Sequence, residues 1–228
     1  MNEFMNGTTG EVVRWLPLAL GAYIVGSIPF GLLIGFARGV DIREHGSRNI
    51  GATNTGRVLG RPFGILCFVL DALKGAVPVA TAGLVMGAWG AAPAELGALR
   101  LSLWLLVACA SFIGHVAPIW LRFRGGKGVA TGFGALLAMW PILTFPALLA
   151  ILAWALVLAA CRMMSLASIA GALSVPLSLA LMAALSPAGA ASGLRATGPA
   201  LAVTAALAVL VIWRHRGNLA RIRLGTEP

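Results

Sequence analysis

Between Leu16 and Trp213 the chain is a succession of long apolar runs, and this pattern constrains the fold more than any other feature. A helix of about twenty apolar residues is long enough to cross a hydrocarbon layer roughly 30 Å thick. Hydrophobic residues make up 59% of the chain and its mean hydropathy is +0.92, more apolar than a water-soluble core requires. The expectation is an all-α polytopic membrane protein forming a single integral membrane domain over residues 1–228.

The first span is Leu16–Phe36, in which Gly26, Pro29 and Gly31 predict a kink or a close helix contact near the far end. Residues 37–62 turn polar, ARGVDIREHGSRNIGATNTGRVLGRP, with five arginines and spaced glycines, too long for a simple connector. Phe63–Trp89 is the second span. Its Asp71 and Lys74 share a helix face at i, i+3, and because charge at membrane depth is costly the pair reads as a structural ion pair or as part of a functional site. Leu96–Leu121 is the third span and contains His115. The run Val129–Ala160 is broken by Pro141 and Pro146 and is one kinked helix or two short ones. Met163–Leu185 follows, then a small polar link holding Arg195, a last span Pro199–Trp213, and a basic tail, RHRGNLARIRLGTEP.

Charge decides between the two readings of the ambiguous run. Splitting it gives seven spans and gathers thirteen of the seventeen lysines and arginines on one side, which the positive-inside rule makes cytoplasmic, with the N-terminus out and the C-terminus in. A single helix would leave the four tail arginines outside. The cost of the split is a short element, since Val129–Trp140 reaches only about 18 Å as a helix; a short or tilted half-helix is expected there. Glu3 and Glu11 against Arg14 alone give no basic front of a signal peptide, so the first apolar segment is expected to remain.

The stretch Gly114–Thr131, GHVAPIWLRFRGGKGVAT, joins an apolar run to a cationic glycine loop. Arg122, Arg124 and Lys127 surround a backbone that Gly125, Gly126 and Gly128 leave free to turn, and Val129 opens the next apolar segment up to and past Thr131. Such a loop can aim N–H groups and positive charge at an anion, as a phosphate cradle does. A short basic membrane turn has the same composition. A nucleotide P-loop is excluded, because Gly128 stands where Ser or Thr would hold magnesium.

With this topology three polar stretches reach the cytoplasmic face. They bring Ser47, Arg48, Asn49, Asn54 and Arg57 from the first, Arg124 and Lys127 from the second, and Arg214, His215, Asn218 and Arg221 from the third. Arginine outnumbers lysine heavily, and its fork suits bidentate phosphate contacts, whereas attraction to a lipid surface would accept either. The seven acids are scattered, which leaves no carboxylate cluster for a divalent metal. Cys67, Cys109 and Cys161 lie in apolar segments and read as packing residues.

Taken together these stretches resemble the bacterial membrane acyl-phosphate glycerol-3-phosphate acyltransferases. The matching pieces are GSIPFG (26–31), DIREHGSRNIGATNTGRVLG (41–60), LDALKG (70–75), the Gly114–Thr131 stretch, RMMSLASI (162–169) and WRHRGNLARIRLGTE (213–227). The resemblance implies a seven-helix enzyme of the inner membrane, with its active site facing the cytoplasm. Its reaction moves a fatty acyl group from acyl phosphate to the 1-hydroxyl of sn-glycerol 3-phosphate. The products are lysophosphatidic acid and phosphate.

By motif position the resemblance implies that Ser47, Arg57, Lys127, His215 and Asn218 surround glycerol 3-phosphate and the reacting phosphate. On residue chemistry Ser47, Lys127 and His215 are taken as catalytic, with substrate or phosphate contacts from Arg57, Asn54, Asn218, Arg124, Gly125, Gly126, Gly128 and Thr131. The resemblance implies no metal or other cofactor, and as partners the two substrates, membrane lipid and the soluble enzyme that makes acyl phosphate, with no nucleic acid. Three positions depart from the family's habit: Arg48 stands where it usually has Gly, Ala117 where it often has an aromatic, and Arg124 where it commonly has Lys. The general base stays open among His115, His215 and a substrate phosphate oxygen.

Two enzyme classes drop out on residue types. An acyltransferase pairing His with Asp five positions later would find Ile50, Trp120 and Ala220 there. A metal-dependent CDP-alcohol phosphotransferase would need several acids on one helix, and Asp71 has none beside it. An organic-phosphate or anion transporter is the surviving alternative, although its polar groups should link both membrane faces and no inverted repeat is evident.

Overall fold

The computed structural model describes residues 7–227; Glu3, part of the reading of the N-terminus, lies outside them. Among the described residues there are helices and turns and no strand. The helices are α1 (Thr8–Gly26), α2 (Phe30–Ala37), α3 (Ala52–Leu59), α4 (Arg61–Val85), α5 (Pro93–Val116, broken at Gly97), α6 (Val129–Leu137), α7 (Thr144–Cys161), α8 (Met164–Ala184), α9 (Ala190–Arg214) and α10 (Arg216–Arg223). A short 3₁₀ turn, Ile119–Leu121, follows α5. Among the described residues six segments are long and apolar enough to cross a membrane: α1 with α2, α4, α5 with its 3₁₀ turn, α7, α8 and α9.

The kink expected in the first span is the break between α1 and α2 at Ser27, Ile28 and Pro29. The ambiguous run does split, into α6 and α7, and α6 is only nine residues long. At 1.5 Å per residue it spans about 14 Å, shorter even than the expected half-helix. The last span is corrected: helix α9 begins at Ala190, and Pro199 lies inside it. The linker AASGLRAT is rich in good helix formers, and in a membrane segment neighbouring groups absorb the bond that Pro removes.

The described residues fall into two compact units, one through Trp89 together with Leu103–Ala138, the other Gly90–Ser102 with Met139 onward. In the first, helices meet at glycines. A methyl group on Gly26 would overlap the Ser111 carbonyl and one on Gly114 the Tyr23 carbonyl, so α1 and α5 touch backbone to backbone. Gly75 and Gly134 do the same for α4 and α6, against Thr131 O and Ala72 O. Lipid offers helices no hydrophobic drive to associate, so such close crossings supply the attraction. Trp104, fully buried, donates from Nε1 to Val79 O at 2.9 Å and pins α5 to α4.

The second unit packs α8 against both α7 and α9. Val175, Leu179, Ala183, Ala200, Ala208 and Val211 form its interior. Thr197 and Thr204 return their hydroxyls to carbonyls one turn back, at 2.8 and 2.7 Å, so these buried polar groups are paired. Large apolar side chains such as Leu20, Val85, Leu156, Leu177 and Val209 are exposed, as lipid-facing surfaces require.

Candidate functional site

In the first unit, residues 38–51 form a chain of turns leading into α3. Asp41 fixes its start by accepting from Arg43 Nε at 2.9 Å and Nη2 at 2.6 Å, and these charge-assisted bonds hold its carboxyl down at about 2. Asn54, 1% exposed, holds the middle: its Oδ1 accepts from Ser47 N at 2.8 Å and its Nδ2 donates to Ile42 O at 2.8 Å and His45 O at 3.2 Å. The amide expected to touch substrate thus spends both ends on the loop that carries Ser47. Ser47 and Arg57 themselves are exposed.

Arg48 sits in the left-handed region at φ 57°, the conformation that glycine adopts without strain. Here an arginine takes up a backbone conformation that suits glycine. Arg48→Gly is expected to stabilise the protein by about 1 kcal/mol, read as a rise in thermal midpoint.

The second cationic loop is folded back on the end of α5. Gly125 N donates to Val116 O and Gly126 N to His115 O, both at 3.1 Å, so these two amides cap α5. Two of the loop amides expected to hold phosphate therefore already have backbone partners. Gly125 and Gly126 are required by closeness instead, to the carbonyls of His115 and Val116 and to the His115 ring, whereas Gly128 is required by its φ of 82° and by the Phe112 ring beneath it. Lys127 is half-buried and Arg124 exposed, immediately before the start of α6.

The first backbone bond of α6 runs from Gly132 N to Gly128 O at 2.7 Å, so the amides of residues 129–131 precede it at the positive end of the helix. Thr131 is fully buried, and its Oγ1 has no hydrogen-bond partner among the described residues. A cation, helix N-terminal donors and an unpaired hydroxyl therefore occur within five consecutive residues, 127–131.

Asp71 and Lys74 form the expected pair, 2.7 Å apart and sealed from solvent. Cys67, also buried, lies 3.6 Å from Asp71 Oδ2. Cys161, by contrast, is exposed at the end of α7, so it is not the packing residue that its apolar neighbours suggested. Tyr23 Oη donates to Ala117 O at 2.9 Å, so that departure is tied in through its backbone.

In the second unit His215 ends α9, 2% exposed, with Nδ1 2.8 Å from Val211 O. A carbonyl only accepts, so Nδ1 carries a proton in this contact. Asn218, on α10, donates from Nδ2 to Glu227 Oε1 at 2.6 Å. Glu227 also accepts from Ser165 Oγ at 2.6 Å and Arg221 Nε at 2.8 Å. Burial pushes the Glu227 carboxyl up, but the bonds from Ser165, Asn218 and Arg221 outweigh it and hold it below the ordinary glutamate range. No role was read for Glu227 in sequence; its one signal was being the sole acid in a tail of arginines.

Residues 16–225 match the family model described as glycerol-3-phosphate acyltransferase. The chain belongs to the glycerol-3-phosphate acyltransferase family. It is 43% identical over 212 residues to the glycerol-3-phosphate acyltransferase of Geobacter sulfurreducens, covering 93% of this chain and 95% of that one. The relative from Geotalea daltonii is 40% identical over 221 residues, covering 96% and 97%. Among solved structures it is similar to PlsY, an integral membrane glycerol 3-phosphate acyltransferase, in its glycerol 3-phosphate form. There the TM-score is 0.78 with 34% identity and 94% of each chain covered. The lysophosphatidic acid form of PlsY gives 0.75 at the same identity and coverage.

Proposed function

We propose that this chain transfers a fatty acyl group from acyl phosphate to the 1-hydroxyl of sn-glycerol 3-phosphate at the cytoplasmic face of a bacterial inner membrane. Seven crossings, α6 being the short one, put the N-terminus outside and the C-terminus inside, and the chain works as one domain. The donor comes from a separate soluble enzyme. The observation that carries the reading is the 127–131 segment, where Lys127, the first amides of α6 and the unpaired Thr131 hydroxyl offer a phosphate three kinds of contact without a metal.

Both substrates are phosphate esters or anhydrides, so their approach is repulsive unless cations neutralise it. In the first unit Lys127, Arg57 and Arg124 supply that charge and Ser47 orients a glycerol hydroxyl; for the second unit, taken by itself, His215 and Asn218 are the residues proposed to contact substrate hydroxyls. Asn54 acts through the loop it holds, and Gly125, Gly126 and Gly128 through the path of the backbone. The 1-hydroxyl oxygen attacks the acyl carbon; its bond forms as the bond from the acyl carbon to the phosphate oxygen breaks, and phosphate departs with the electron pair. The hydroxyl proton passes to His215 Nε2 or to a phosphate oxygen, which the pH–rate profile of His215→Asn separates. Phosphate is a good leaving group, so positioning and charge stabilisation suffice without a covalent enzyme intermediate.

Purified protein given acyl phosphate and glycerol 3-phosphate with excess chelator is expected to release lysophosphatidic acid and inorganic phosphate in equal amounts. Entry of labelled glycerol 3-phosphate into sealed vesicles without acylated product would sink the reading in favour of a transporter.

A further inference from the structure

Three ionisable side chains are sealed inside the first unit: Asp71 is 2%, Lys74 3% and His115 4% exposed. Lys74 Nζ lies 2.7 Å from Asp71 Oδ1 and donates to Ile28 O, also at 2.7 Å, while Ser111 Oγ donates to Lys74 O at 3.0 Å. His115 Nδ1 stands 3.7 Å from Asp71 Oδ1. Taking a carboxylate and an ammonium out of water costs several kcal/mol for each ion, and apolar residues of similar size would hold α4 and α5 together without that cost. The group therefore calls for a purpose beyond packing.

The opposite edge of the His115 ring supplies one. Its Nε2 faces Gly126, where an added methyl group would overlap it, and the His115 carbonyl accepts from Gly126 N at 3.1 Å. The residue meets the loop twice, through backbone and ring, one position before Lys127. A carboxylate beside one imidazole nitrogen fixes the ring's orientation, as it does for metal-bound histidines.

We infer that Asp71, Lys74 and His115 form a buried positioning device: Lys74 fixes the Asp71 carboxylate, the carboxylate orients the ring, and the ring sets where the Gly125–Gly128 loop and Lys127 stand. His115 then acts on the reaction through the loop and exchanges no proton with substrate. The inference rests on the reading that this loop holds phosphate. Displacements of about 1 Å at a site can cost two orders of magnitude in rate, so a fixed ring under the loop is worth an expensive charge network.

The test is second-site relief, scored on full-length protein in detergent or nanodiscs as kcat and KM for glycerol 3-phosphate. Gly126→Ala sets the new methyl against the ring and is expected to lower kcat/KM by about thirtyfold or more; His115→Ala alone lowers it by about tenfold. Combining Gly126→Ala with His115→Ala, or with the milder His115→Asn, removes the overlap and is expected to recover about fivefold or more over Gly126→Ala.

A merely stabilising histidine, or one serving as base, would make the doubles worse. Doubles no better than Gly126→Ala overturn the inference, and so does failure of both to fold, because relieving an overlap should not unfold the chain. Lys127→Ala, run alongside, separates the two claims. If it raises KM while the doubles show no relief, only the positioning role fails; if it leaves both phosphate substrates unaffected, the loop is not a phosphate holder and both readings fail.

Discussion

Lys127→Ala lowers kcat/KM for glycerol 3-phosphate by about 10²–10³, the loss typical when one preorganised donor to developing charge is removed. The reasoning starts from position: Lys127 stands between two backbone-restricted glycines and immediately before α6, half-buried, so its ammonium is presented with little freedom to retreat. A cation that meets phosphate in the ground state and more strongly as charge develops in the transition state affects both KM and kcat, so both should change. Lys127→Arg keeps charge but replaces a point ammonium with a wider fork, and partial activity is expected. Arg57→Ala, from the exposed face of α3, should act in the same direction with a weaker effect. Steady-state kinetics on the purified variants, normalised to folded protein, reads all of these.

Glu227→Ala is the other large effect, and it falls on structure first. The Glu227 side chain is 4% exposed and gathers Ser165 from α8, Asn218 and Arg221 from α10. Removing it takes the acceptor from the buried Ser165 hydroxyl and from the Asn218 amide, while the part-exposed Arg221 guanidinium turns to water, at a cost of about 1–3 kcal/mol. The thermal midpoint should fall steeply and activity with it, because Asn218 loses the contact that fixes its amide. The pH dependence has a definite sign. Since the folded carboxyl titrates below its ordinary value, its stabilising effect is fully present above the unfolded glutamate pKa of about 4.3 and is lost as pH falls through the lower folded value. Glu227→Gln removes that dependence, and midpoints measured across the acid range distinguish the two proteins.

The spans were legible because burial in lipid imposes a long apolar run that leaves little room for disguise. Charge bias correctly divided Val129–Ala160, although α6 stops at Leu137. Pro199 misled because a proline that breaks a helix in water is tolerated among membrane helices. At the proposed site, residue types point to segments but not to the direction of each group. Gly125 and Gly126 read as flexible donors, yet their amides cap α5 and their missing side chains make room for His115. Asn54 read as a ligand because it is polar among polar residues, whereas its amide holds the Ser47 loop from below. Contacts such as His115 with Asp71, or Glu227 with Ser165, join residues 44 and 62 positions apart, and no local pattern announces them.

The central claim is that the chain's own cations and helix-end donors, without a metal, hold the phosphate of glycerol 3-phosphate. Calorimetric titration of glycerol 3-phosphate into the wild-type protein and Lys127→Ala, both in excess chelator, tests it most directly. The account predicts saturable one-site binding to the wild type that weakens about fiftyfold or more in the variant and falls with added salt. Equal affinities in the two proteins, or binding that disappears with chelator, would contradict it.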